Sequence, residues 1–138
     1  YMGKQNDKVL ELSSKAIDVM NTKAKPEGVS DADWENRKKL VIGRANYIQG
    51  VVHASSNRWA AADKALRAAL PGIADSAEMR AEALFYLGLA NYRLAEAGDV
   101  ERARDALRFS QECANIPGRF QARARQNVKA IQSQYRIR

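Results

Sequence analysis

One cysteine and one histidine occur in 138 residues. A lone Cys113 excludes an intramolecular disulfide and any CxxC metal or redox pair, and a lone His53 excludes a cluster of histidine ligands. HExxH, a glycine-rich phosphate loop, a nucleophile elbow and a Ser/His/Asp set are all missing, so the chain reads as non-enzymatic, with no cofactor and no metal. No run of 18 apolar residues exists, and the opening YMGKQNDK lacks the apolar segment of a signal peptide, so no membrane span is expected and the polypeptide reads as soluble. Tyr1 stands before Met2, which reads as a piece of a longer chain. That leaves the compartment open between cytoplasmic and exported.

Proline is also scarce. The three prolines, Pro26, Pro71 and Pro117, are 45 and 46 residues apart, and each follows an amphipathic segment. Proline commonly follows a helix C-terminus, so the spacing predicts three equivalent helix ends and a helical repeat. Weaker breaks fall at SSN 55–57, AGD 97–99 and EGVSD 27–31. Asn57, Asp75 and Asp99 are expected N-caps, and Asp75 with Glu78 or Ser30 with Asp33 resembles a capping box. No window alternates with period two. The reading is an all-α domain of about six helices near 5–22, 31–55, 58–70, 76–95, 100–114 and 118–136, and hydrophobic residues at 46% are enough for a single core.

Glycine inside a helix costs about 1 kcal/mol relative to alanine, so Gly88 within FYLGLANYRL (85–94) calls for a reason. A close helix neighbour supplies one. Aligning 47–70 with 85–110 matches Gly50 to Gly88, Ala62 to Ala103 and Leu66 to Leu107, with three extra residues, AEA 95–97, in the second copy. A fainter copy follows, with Ala124 in the glycine's place and Asn127 matching Asn91. This pattern resembles the tetratricopeptide repeat, a helical hairpin of about 34 residues in which small residues let two helices touch. The resemblance implies antiparallel helix-hairpin repeats in a right-handed superhelix. In those terms 5–22 is an orphan second helix, 31–70 and 76–114 are two repeats, and 118–136 is a capping helix.

What the resemblance implies for function is a protein-protein interaction or scaffold module, with a partner segment lying in a concave groove lined by the first helix of each hairpin. Carried over by register, the groove residues are Arg44, Tyr47, Val51, Ala54 and Ser55, then Glu82, Phe85, Leu89, Tyr92 and Arg93, then Gln121, Arg125, Val128 and Lys129. Aromatic and aliphatic anchors rimmed by cations suit a peptide with apolar and some acidic side chains. Tyr47, Phe85 and Tyr92 are expected to share one exposed concavity. Val51 and Tyr47 stand where carboxylate-clamping members of the family carry asparagine and lysine, which argues against that co-chaperone role.

Other clusters have plainer readings. Asn46, Gln49 and His53 share one helix face and read as a polar contact between helices rather than a binding site. Asp31, Asp33 and Glu35 sit in a helix's first turn, where the macrodipole favours acids, and are not read as a cation site. Cys113 lies in an apolar stripe and reads as core. Charge is more informative, because residues 115–138 hold Arg119, Arg123, Arg125, Lys129, Arg136 and Arg138 with no acid, +6 of the net +7. This basic surface reads as a solvated cap, or as a site for an acidic protein, a polyanion or nucleic acid. A structural fragment of a longer array, self-associating through its first or last helix, is the remaining alternative.

Overall fold

The computed structural model describes residues 2–95 and 98–137. Tyr1, Arg138 and, within the expected insertion, Glu96 and Ala97 lie outside the described residues. Six helices and, among the described residues, no strand make up the chain: α1 (Met2–Thr22), α2 (Asp31–Ser55), α3 (Trp59–Ile73), α4 (Ala77–Leu94), α5 (Val100–Ala114) and α6 (Gln121–Tyr135). Each helix packs on the next, α2 also meets α4, and α4 meets α6. The even-numbered helices therefore share one side of the molecule, and among the described residues α1 packs on α2 alone.

Local chemistry sets the ends. Ser30 Oγ accepts the Asp33 amide at 3.1 Å, Ser76 Oγ that of Met79 at 3.2 Å, and Asp99 Oδ1 that of Arg102 at 3.1 Å. The cap of α4 is thus Ser76 rather than Asp75, and Asn57 is not a cap at all. Asn57 instead takes a left-handed conformation (φ 59°), which asparagine tolerates, to close the link from α2 to α3. Pro71 does not end its helix either. It sits in the last turn of α3, where its missing N–H withdraws one bond, and the turn persists because Gly72 and Ile73 are buried beyond it.

Small residues bring the helices together. A Cβ added to Gly43 would lie 2.5 Å from the Gly72 Cα, and one added to Gly72 would strike the Lys39 carbonyl, so α2 and α3 meet backbone to backbone. Gly50 faces the Leu66 side chain, and Gly88 faces Ser110 and Ala106, on either side of Leu107. Advancing Gly43 by 38 residues and Gly72 by 41 gives Ala81 and Cys113, which also touch: the buried thiol donates to the Ala81 carbonyl at 3.3 Å. Leu66, Ile73, Leu84 and Leu87 fill the main core with Phe85, Phe109 and Phe120, and Leu107 and Ile131 form a smaller cluster under α6.

One contact in this core is imperfect. The Ser110 hydroxyl is 1% exposed and has no hydrogen-bond partner among the described residues. A buried hydroxyl without a partner costs about 1–3 kcal/mol, so Ser110→Ala should raise stability by about 1 kcal/mol in urea titration. The same change removes the atom that would lie 2.5 Å from a Cβ on residue 88. Gly88→Ala should therefore destabilise the native chain, yet turn neutral or favourable in the Ser110→Ala background. Equal effects in both backgrounds would show that Ser110 Oγ is not what excludes a side chain at position 88.

Candidate partner-binding face

The outward stripe of α2 carries two of the exposed large apolar side chains. Val41 is 39% and Ile48 42% exposed, and with Arg44 and half-buried Val51 they follow the 3, 4, 3 spacing of one helix face. Arg37, one turn before Val41, is exposed on the same stripe. On α4, Leu89 and Tyr92 line a crevice of about 90 Å³ with Gly88 beneath them and Asn127, Ala130 and Ile131 of α6 opposite. The Tyr92 hydroxyl donates to Gln134, its ring packs edge-on to Tyr135 at 6.4 Å, and Arg93 is exposed beside it.

The three expected aromatic anchors do not share one concavity. Phe85 is 3% exposed, with Phe120 at 5.1 Å and Tyr86 at 5.4 Å between ring centres, and the Arg123 guanidinium lies 4.5 Å over its ring. It belongs to the core. The start of α6 folds over that part of α4, which a register carried between helices does not reveal. Tyr47 is half-buried and its hydroxyl donates to Glu82, whose other oxygen accepts from Arg119 at 2.8 Å. Burial, then the Glu82 hydrogen bond and charge, push the Tyr47 hydroxyl well above the usual tyrosine range, so it stays protonated. Tyr47 thus joins α2 to α4 beneath the face instead of standing on it.

The basic residues divide in the same way. Arg119 is held by Glu82 and Glu78 and stacks 4.7 Å from the Phe120 ring, while Arg123 stacks on Phe85. Arg125 and Lys129 line a recess separate from the α4–α6 crevice, with Gln111 and Ala114 of α5 and Asn115 just past it. Arg136, in a left-handed conformation just past α6, lines a further recess with Arg104 and Arg108 of α5.

Gln49 donates to Ser14 Oγ of α1 at 2.8 Å, and His53 Nδ1 accepts from Arg58 at 3.0 Å; Gln49 and His53, with Asn46, line a recess of about 290 Å³ against Ala61, Lys64, Ala65 and Ala68 of α3. Burial, with the nearby Arg58 charge, holds the His53 pKa below its ordinary value. Cys113 is fully buried and burial pushes its thiol up to about 11, the opposite of what a nucleophile needs. Among the described residues no three His, Cys, Asp or Glu side chains are grouped to hold a metal ion, and no helix is long and apolar enough to cross a membrane.

The sequence reading missed a buried polar cluster. Asp63 and Arg67 of α3, Asn91 of α4, and Arg102 and Asp105 of α5 form one network. Asp63 Oδ1 accepts from Arg67 Nε at 2.7 Å and Asn91 Nδ2 at 2.8 Å; its Oδ2 accepts from Arg102 at 3.2 Å. Asn91, 0% exposed, accepts from both arginines and donates to the Leu87 carbonyl, while Arg67 also reaches Asp105 at 2.9 Å. Of the five, the sequence reading singles out only Asn91, as the match to Asn127, and not as a network member. The 3.6-residue period does place Asp63 and Arg67 on one face, which is the signal that was available. This cluster fixes the register of three helices and does not open onto the α2 stripe. No protein-family model, curated protein or solved structure matches the chain.

Proposed function

We propose that the chain is a protein-interaction module of tetratricopeptide-like hairpins that holds a partner segment on the outer face of α2 and α4. The observation that carries this reading is the stripe of exposed Val41 and Ile48 with half-buried Val51, with Arg37 and Arg44 beside it and Arg93 on α4. The paired contacts Gly43–Gly72 and Ala81–Cys113, offset by one hairpin, support the repeat reading. A preformed face spares the module most of its own ordering entropy on binding. The chemistry suits a segment offering two or three aliphatic or aromatic side chains, with acids placed to meet the arginines.

The test is selection of displayed peptides on the whole chain, followed by fluorescence anisotropy of the winners. Burying an isoleucine side chain contributes about 1.5–3 kcal/mol, so Ile48→Asp should weaken binding about tenfold or more with melting unchanged. Binding that survives both Ile48→Asp and Val41→Asp would overturn this assignment of the face.

A further inference from the structure

On the far side of α6 lies a second surface that the α2–α4 reading does not use. The α5 positions Arg104, Leu107, Arg108, Gln111 and Ala114 run antiparallel to the α6 positions Arg125, Val128, Lys129 and Gln132, with Arg136 and Ile137 just beyond. Two recesses of about 610 and 400 Å³ lie between them and share Gln111 as a wall, and together they are treated as one trough. From Arg104 to Asn115 the trough is about 16 Å long, three turns of helix. Ala114, Val128 and Ile137, with the nearly buried Leu107, supply its apolar part; arginine, lysine and the amides of Gln111, Asn115 and Gln132 supply the rest, and no carboxylate lines it. Arg104 and Arg108 have partners on their own helix in Glu101 and Asp105 at 3.2 and 3.6 Å. Arg125 and Lys129 are paired with no carboxylate among the described residues.

We infer that this trough docks an acidic amphipathic helix of a partner protein, about three turns long. The apolar part takes residues at i, i+3 or i+4 and i+7 of that helix, and the flanking Arg125, Lys129 and Arg136 take Asp or Glu side chains at the edges. Charge decides the occupant. None of the chain's own six helices carries net negative charge, and α6 carries +3 from Arg123, Arg125 and Lys129, so a second copy is the wrong sign. A nucleic-acid strand would use the cations but leave the apolar part unfilled, since no aromatic ring lines the trough for bases to stack on.

The experiment uses the whole chain and three probes. These are displayed helical peptides with an apolar stripe and Asp/Glu on the remaining positions, the same library with Lys/Arg in place of the acids, and a twelve-nucleotide oligo-dT. The acidic library alone should yield binders, and their affinity should fall about tenfold or more in Arg125→Glu/Lys129→Glu, two exposed positions whose reversal leaves melting unchanged. Ile48→Asp should not alter that binding, so failure of the α2–α4 face and failure of this trough are separately visible. Four results would each overturn the inference: no acidic binders; binding indifferent to the double reversal; oligo-dT bound more tightly than any acidic peptide; or self-association of the chain that the double reversal abolishes.

Discussion

Gly72→Ala is expected to lower the unfolding free energy by about 3 kcal/mol, although alanine is the better helix former by about 1 kcal/mol. The sign follows from what the new methyl group meets. At position 72 it meets the Lys39 carbonyl and the Gly43 Cα, which are backbone and can give way only if α2 and α3 separate. Separation would open the packing around Ala69, Ile73 and Gly50. Gly43→Ala should cost a similar amount, because its methyl group meets Gly72 Cα, Gly72 C and the Ala69 carbonyl. Gly50→Ala meets Cγ and Cδ2 of Leu66, a fully buried side chain that must repack within the core, so a loss of about 1–3 kcal/mol is expected. The measurement is urea titration, with melting about 10 °C lower for Gly72→Ala. If Gly72→Ala is as stable as the native chain, the two helices are not in backbone contact.

The second large effect is expected at Asp63. Removing its carboxylate with Asp63→Ala leaves the Arg67 and Arg102 guanidinium groups facing each other across Asn91, a loss of about 3 kcal/mol. Both arginine side chains are a little over one third exposed, so water screens part of the residual charge and holds the figure at the low end for a broken buried pair. Burial alone would raise the Asp63 pKa. Hydrogen bonds from Arg67 and Asn91, the Arg67 charge and the Arg102 hydrogen bond outweigh it and hold the carboxyl below the usual range. Because the folded pKa is depressed, this contribution is complete above the carboxylate's unfolded pKa, near 3.9, and is lost as pH falls through the folded value. Asp63→Asn should therefore flatten the acid limb of the stability curve. An unchanged acid limb would show that the carboxylate is not what the arginines stabilise.

Much of this architecture was legible in the residues, and the exceptions have physical causes. Ser30 and Asp99 announced the starts of α2 and α5 because a capping side chain acts within its own turn. Pro71 misled because tertiary contact at Gly72 and Ile73 overrides the local preference to stop. On α2 the expected anchor was Tyr47, and the exposed one is its neighbour Ile48. One residue is a rotation of about 100°, and α2 is buried by α1, α3 and α4 from different sides, so its apolar pattern is smeared and its outward stripe cannot be read by period alone. Phe85 failed for a different reason: the cover over it comes from Phe120 and Arg123, more than thirty residues away. The five-residue network around Asp63 and Asn91 spans three helices, and no single stretch of sequence contains it.

The attachment of α1 sets how the fold comes apart. Among the described residues α1 packs on one neighbour, and the Gln49–Ser14 bond is the side-chain hydrogen bond described between the two helices. The α3–α5 segment, by contrast, is cross-linked by arginine and carboxylate in both directions. Opening α1 therefore disturbs little else, whereas opening α4 must break Asn91 free of two helices at once. Amide protons of α1 should exchange through local fraying, and those of α4 only when the whole domain unfolds.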